Sequence, residues 1–291
     1  MKEGYILIAT NQQKFLELAL NLALSIKLKD NKKRPIALLY DNRINIPEKY
    51  KKYFDILIKK NKEDNEIYGT TNKILLFKYS PFERTMYIDS DCLMVKKDIS
   101  IIWKKLRRYN FTVMGHKVIA GTCGCWNLNI KEVIKKLHLS YMIHFNGGVI
   151  YFDKSELSLN VFKKIKEYYK NAIDVLGCRF RGTYNDEPFI CVAMGYFCLK
   201  PFPMVFRHYW KIIQWHQFVV GEYNEINPFK ETFYIDCGKG HLEHPTLAHF
   251  QSLGNDPKKK MLKVYTIGVN KLRKYYNLPL FNAEILGRKY S

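Results

Sequence analysis

Two carboxylates, one residue apart, interrupt an apolar run at Arg84-Thr85-Met86-Tyr87-Ile88-Asp89-Ser90-Asp91-Cys92-Leu93-Met94-Val95. Residues 86–88 read as a buried strand, and residues 93–95 resume the apolar character. Charge at the end of a buried strand is costly unless something compensates it. A divalent cation carrying a diphosphate is such a compensator, because hard ions such as Mn²⁺ or Mg²⁺ prefer carboxylate and phosphate oxygens. Most copies of Asp-Ser-Asp elsewhere are turns or helix caps. Here the pair follows a strand, and three later segments fit the same site.

The flanking pattern sets the fold class. Residues 4–10 (GYILIAT) form a short, continuously apolar run that predicts a buried strand. Residues 12–28 carry apolar side chains on most faces of a helix. Residues 35–41 (PIALLYD) predict a second strand ending in a carboxylate, and residues 53–59 a third short apolar run. Residues 70–79 predict a helix capped by Thr70 or Thr71. Further on, the pattern predicts helices over 98–106, 155–169 and 185–194, and strands over 111–115 and 144–153. Strands alternating with helices indicate an α/β fold with a Rossmann-like, mostly parallel mixed sheet flanked by helices. Ligands of such sheets bind beyond the carboxyl ends of the strands. Asn11, Asp41 and Asp89 all lie at such ends.

Length and composition narrow the classes. At 291 residues the chain suffices for one large domain or two small ones. No segment offers the ~18 consecutive apolar residues of a membrane span, and the first residues run straight into a strand without a signal-peptide pattern. The seven scattered cysteines suit a reducing compartment and read as structural or incidental thiols. A net charge of +21 implies an anionic partner: nucleic acid, an anionic membrane surface or phosphorylated small molecules. A nucleic-acid-binding protein would need a basic stripe or a binding module, and neither is legible, so no nucleic-acid partner is expected.

Phosphates are not held on a Gly-rich loop. The chain has no Gly-x-x-x-x-Gly-Lys-Ser/Thr, and no Gly-x-Gly-x-x-Gly follows the first strand. A metal held by Asp89 and Asp91 supplies another device. Asn146-Gly147-Gly148 sits inside an apolar strand, where glycine marks either a bulge or a close approach; the second reading packs a sugar against bared backbone, with Asn146 bonding its hydroxyls. Asn185-Asp186-Glu187-Pro188 opens a helix, either as ordinary capping or with Asp186 or Glu187 facing a sugar as hydrogen-bond acceptor or general base. His249 follows the apolar pair Leu247-Ala248 and is preferred over His244 and His241 as a third metal ligand. Lys73, on the helix before the Asp-x-Asp strand, is placed to reach a diphosphate as a point charge.

In this order, Lys73, Tyr87-Ile88-Asp89-Ser90-Asp91, Phe145-Asn146-Gly147-Gly148-Val149, Asp186-Glu187 and His249-Phe250 resemble the family-8 glycosyltransferases over roughly residues 4–255. The resemblance implies a GT-A fold, a nucleotide-diphospho-sugar donor such as a UDP-sugar, Mn²⁺ (or Mg²⁺), and retention of anomeric configuration. Carried over, Asp89, Asp91 and His249 are the metal ligands, with Ser90 between the carboxylates. Thr10, Asn11 and Asp41 lie near the nucleoside. Lys73, Gly147 and Gly148 approach the donor, and Asn146, Asp186 and Glu187 hold its sugar. The chain departs from the family where its first strand ends in Ala9-Thr10-Asn11 rather than an aspartate. It also has Glu187 where glutamine is frequent, and it lacks Lys-Pro-Trp after residue 254. Lys258, with Lys259 and Lys260, is the candidate to grip the leaving phosphate.

The domain organisation expected is a glycosyltransferase domain over 1–255, with a nucleotide-binding half (1–100) and a donor-sugar and acceptor half (101–255). A basic, aromatic tail follows over 256–291, read either as a packed helix or as a contact with an anionic membrane. The expected partners are a nucleotide sugar and a glycan or lipid-linked acceptor. The expected location is cytoplasmic, including the inner face of a membrane. The competing readings are a catalytically silent GT-A scaffold, a nucleic-acid-binding protein and a sugar nucleotidyltransferase. The last lacks its Gly-rich basic loop after the first strand.

Overall fold

The computed structural model describes residues 2–123, 128–172, 176, 185–203, 212–215, 226–230, 232–233, 235–236, 242–243, 245–250, 253 and 260–286. The strands that position the functional residues are β1 (Glu3–Ala9), β2 (Ile36–Tyr40), β3 (Ile56–Lys59), β4 (Arg84–Ile88), β5 (Cys92–Met94), β6 (Phe111–Val118), β7 (Met142–Asp153), β8 (Phe202–Pro203), β9 (Ile212–Trp215) and β10 (Leu247–Phe250). Two compact units are assembled from separated stretches of chain: residues 1–6, 58–88 and 106–204, and residues 7–57, 89–105 and 205–291.

In the first unit the strand order is β8-β6-β7-β4-β1. The start of β1 runs parallel to β4, with Glu3 opposite Arg84 and Ile6 opposite Tyr87. Antiparallel to β4 lies β7, from Arg84 opposite Asp153 to Ile88 opposite Val149. Tyr5, Ile6, Met86, Tyr87, Ile150, Tyr151 and Phe152 are all buried. Strands covered on both faces read as continuous apolar runs rather than alternating ones, which is why their sequences lack a period of two. The pairing of β7 with β6 breaks between Val113 opposite Ile150 and Gly115 opposite Phe145, so β7 bows out over residues 146–149. Helix Glu156–Lys170 starts at Ser155, whose Oγ accepts from the Ser158 N–H at 3.3 Å. Helix Glu187–Tyr196 is buried from Pro188 to Gly195, matching its almost wholly apolar sequence.

The expected helix over 70–79 takes a different form. It is a 3-10 helix, Gly69–Leu75, continued by one α turn, Leu76–Tyr79, and neither threonine caps it. Side chains bond main-chain groups at and just before its start instead. The buried Lys60 ammonium donates to the Ile67 carbonyl (2.6 Å) and to Asn72 Oδ1 (2.9 Å), Asn72 Nδ2 donates to the Gly69 carbonyl (2.9 Å), and the Thr71 hydroxyl donates to the Tyr68 carbonyl (2.6 Å). Side chains that capture main-chain groups in this way compete with α-helical bonding.

In the second unit the order β1-β2-β3 continues from the end of β1, and a separate sheet runs β9-β10-β5. Within that sheet β10 is parallel to β9 and antiparallel to β5, with His249 opposite Cys92. Helix Gln13–Lys29 is buried along most of its length, and Lys27 and Lys29 sit at its C-terminal end, where cations complement the helix dipole. The basic helix Lys260–Tyr275 is packed. Met261, Tyr265 and Val269 join a core with Leu18, Leu93, Val95, Ala248, Phe250 and Phe281. Among the described residues, no helix is long and apolar enough to cross a membrane.

A buried polar knot ties this helix down. Arg273, 1% exposed, donates from Nε to Asn21 Oδ1 (2.7 Å) and from Nη2 to Glu17 Oε2 (2.6 Å). Asn21 Nδ2 donates in turn to the Tyr265 hydroxyl (3.1 Å), and burial pushes the Tyr265 phenol up from its ordinary range. Removing one member leaves the others buried without their partner. Arg273→Ala is expected to cost about 3 kcal/mol or more, read as a lower urea midpoint with an unchanged slope. A loss below about 0.5 kcal/mol, the usual range for surface sites, would contradict this.

Candidate metal and donor-sugar site

The Asp-x-Asp segment is a tight turn. The Cys92 N–H donates to the Asp89 carbonyl (3.0 Å), and the Phe250 N–H donates to the Asp91 carbonyl (3.0 Å). The Ser90 hydroxyl donates to the Ile8 carbonyl (2.7 Å), so Ser90 is committed to holding the turn. The main chain is thereby fixed while the two carboxylates stay partly open, at 22% and 25% exposure for Asp89 and Asp91. His249 reaches them from β10. Its Nε2 lies 3.1 Å from Asp91 Oδ1 and 3.9 Å from Asp89 Oδ2, with the ring itself buried. The two carboxylates of the turn and the imidazole of a strand are donor types that suit Mn²⁺, with Asp91 and His249 in contact and Asp89 farther out. The residues present therefore fit the ion that the family resemblance implies.

The end of β1 is shaped by Asp41. Asp41 Oδ2 accepts from the Asn11 N–H (2.9 Å) and Oδ1 accepts from the Arg43 N–H (3.0 Å). Asn11 adopts a positive φ of 71°, a conformation that asparagine tolerates better than most side chains. Thr10 is buried beside it, and its carbonyl accepts from the Gln12 N–H (2.9 Å). The structure thus brings Thr10, Asn11 and Asp41 together and shows that Asp41 holds the loop's backbone.

In the first unit a second group of the expected residues converges. Gly147 is bound at both of its main-chain groups: its carbonyl accepts from Lys73 Nζ (3.0 Å) and its N–H donates to Glu187 Oε1 (2.7 Å). Lys73 also pairs with Asp186 Oδ2 at 3.2 Å and sits 5.4 Å from the centre of the Tyr87 ring. Asp186 occupies the cap position of helix Glu187–Tyr196, yet its side chain makes no capping bond. It turns instead to Lys73, and capping is not its role. Asn146 Oδ1 accepts from the Gly148 N–H (2.9 Å). Of the two readings of the glycine pair the structure shows the bulge, and the bulge is where these side chains approach the backbone.

Lys258, His241 and His244 lie outside the described residues. Tyr87, beneath Lys73, was not singled out by sequence reasoning, which took it as core. A β-carbon at Gly147 would lie 2.8 Å from Asp186 Oδ2 and 2.9 Å from Lys73 Nζ. Both are ends of side chains and can yield, so Gly147→Ala is expected to cost about 1–3 kcal/mol while displacing the Lys73–Asp186 pair. A variant with wild-type stability and wild-type sugar-nucleotide turnover would contradict this.

A histidine pair lies beside this group. His116 and His144 face each other across β6 and β7, with ring centres 5.1 Å apart. Burial, then the neighbouring His116, lowers the His144 pKa from its ordinary value of 6.5, while Glu187 opposes the shift. A depressed folded-state value means that the unfolded chain takes up this proton first. Stability is therefore full above about pH 6.5 and falls as pH drops below it. His144→Asn should flatten the fall in thermal midpoint between pH 7.5 and 5.5; an unchanged slope would contradict the assignment.

The fold is that of the GT-A glycosyltransferases, and Asp89 directly follows β4 in the chain. Among solved structures, the chain is similar to the apo form of the glycosyltransferase GlyE of Streptococcus pneumoniae TIGR4 at 12% identity and a TM-score of 0.51, covering 98% of this chain and 62% of that one. It is also similar to the apo bifunctional glycosyltransferase WbbM at 12% identity and a TM-score of 0.55, covering 94% of this chain and 51% of that one. The chain thus spans between half and two thirds of the length of these structures. No protein-family model matches it, and no curated protein sequence does. The likeness establishes the GT-A fold and does not single out family 8.

Proposed function

We propose that the chain is a metal-dependent glycosyltransferase that moves a hexose from a nucleotide-diphosphate donor, UDP-hexose first among them, to a glycan, glycolipid or protein acceptor with retention of configuration. The observation that carries the reading is the convergence of Asp89, Asp91 and His249 at a strand end of a GT-A fold. Asp89, Asp91 and His249 would hold Mn²⁺, or Mg²⁺ in its place. When bound, the ion supplies Lewis-acid stabilisation of the charge on a leaving diphosphate. Thr10, Asn11 and Asp41 would line the nucleoside, and Asn146, Asp186 and Glu187 the donor sugar, with Lys258 near the leaving phosphate.

Retention is favoured by how the carboxylates of the first unit are used. Asp186 is buried against the Lys73 ammonium, and Glu187 accepts the Gly147 N–H. A general base for inversion needs a carboxylate poised on an incoming hydroxyl, whereas these two hold the β7 bulge in shape. Glu187→Gln keeps an oxygen that accepts the Gly147 N–H, so turnover should stay within about tenfold of wild type. A fall of about 10²–10⁴-fold, the usual worth of a general base, would contradict the positioning role.

The direct test is Mn²⁺-dependent release of UDP from a panel of UDP-hexoses. Asp91→Asn should lower it by about a hundredfold or more without a loss of fold. Unchanged Mn²⁺-dependent release in that variant would overturn the proposal. The exposed basic residues of helix Lys260–Tyr275, Lys263 and Lys274 among them, would bring the enzyme to a lipid-linked acceptor at an anionic membrane face. Each such charge is worth ~1 kcal/mol there. Pelleting with anionic liposomes that Lys263→Glu plus Lys274→Glu does not weaken would contradict that contact.

A further inference from the structure

Cys92 directly follows the Asp-x-Asp pair and is fully buried. By sequence it reads with the other structural or incidental thiols. Strand pairing sets it apart: Cys92 in β5 stands opposite His249 in β10, and opposed residues of an antiparallel pair project from the same face of a sheet. The Cys92 sulfur, a carboxylate oxygen of Asp91 and a ring nitrogen of His249 all lie within 4.8 Å of one another, and among the described residues this is the only such group of three. Donors at ~2.3 Å (sulfur) and ~2.1 Å (nitrogen) from one ion stand up to ~4.4 Å apart. The group therefore needs only a small closure to share a cation. Cys191, also buried, and Cys198, exposed, belong to no such group.

We propose that Cys92 is a further ligand of the Asp89/Asp91/His249 site, a soft sulfur donor that shifts its preference from Mg²⁺ and Mn²⁺ towards Co²⁺, Zn²⁺ and Cd²⁺. The inference rests on the metal reading of that site and adds to it. On binding, a metal–sulfur bond forms, the S–H bond breaks, and the proton passes to solvent. Thiolates select softer ions, while carboxylates and phosphates serve the harder ones. A site with all three kinds of donor holds the softer ions more tightly than an oxygen-and-nitrogen site does.

The test uses the full-length reduced protein with UDP present, titrated with Co²⁺ and separately with Mn²⁺. Co²⁺ binding is read by thiolate-to-cobalt charge-transfer absorption, and Mn²⁺ binding by the electron paramagnetic resonance of the free ion. Wild type should show the absorption. Cys92→Ser should lose it and bind Co²⁺ about tenfold more weakly or worse, with Mn²⁺ affinity changed far less. Cys92→Ala serves the same purpose should a serine hydroxyl disturb the buried position. Wild type that binds Co²⁺ without the absorption, or a Cys92 variant that keeps it, overturns the inference and leaves the metal site standing. If neither ion binds wild type more tightly than Asp91→Asn, the metal reading itself fails, and the Cys92 inference fails with it.

Discussion

The Asp89–Cys92 turn carries the rest of the account, because it holds two partly exposed carboxylates between buried apolar runs. Its backbone is bonded within the turn, from the Cys92 N–H to the Asp89 carbonyl, and at the Asp91 carbonyl by the Phe250 N–H, while the Ser90 hydroxyl ties the turn to the Ile8 carbonyl. Buried main-chain groups must find partners. Here those partners fix the direction in which the carboxylates emerge. Apolar residues run immediately before and after, from Met86 to Ile88 and from Leu93 to Val95. His249 is the side chain that meets the carboxylates at this point.

The first unit solves a different problem with the same economy. A glycine in mid-strand weakens a sheet, yet Gly147 is bonded at both its carbonyl and its amide, by Lys73 and Glu187. The missing side chain leaves room for Lys73 and Asp186 to meet. Lys73, Asp186 and Glu187 therefore form one arrangement around a piece of bared backbone. Their charges hold this piece of backbone in shape.

Much of the fold was legible in the sequence. Continuous apolar runs at residues 4–10, 35–41 and 86–88 became strands, and the mostly apolar stretch 12–28 became a buried helix. Short runs between turn residues admit few alternatives. The helix expected over 70–79 became a 3-10 helix with one α turn, where the Asn72 side chain takes the Gly69 carbonyl and Lys60, from outside the segment, holds Asn72. Of the site, the Asp89/Asp91 pair was legible because charge breaks an apolar strand, and His249 because it ends an apolar pair. Asp186 was ambiguous between cap and contact until its side chain was seen turned to Lys73. Tyr87 and Cys92 looked like core, since what distinguishes them is tertiary placement, under Lys73 for Tyr87 and opposite His249 for Cys92. That depends on register, which local sequence does not encode.

The central claim is that Asp89, Asp91 and His249 form a metal–nucleotide site. The most direct measurement is the thermal midpoint of the purified protein with UDP, GDP, ADP or CMP, each in Mn²⁺ and in EDTA. A ligand at ~100 times its dissociation constant stabilises by about 2.7 kcal/mol, which such a scan resolves. The account predicts an upward shift with UDP that requires Mn²⁺ and is lost in Asp91→Asn. Well-folded protein whose midpoint none of the nucleotides moves, with or without Mn²⁺, would contradict it.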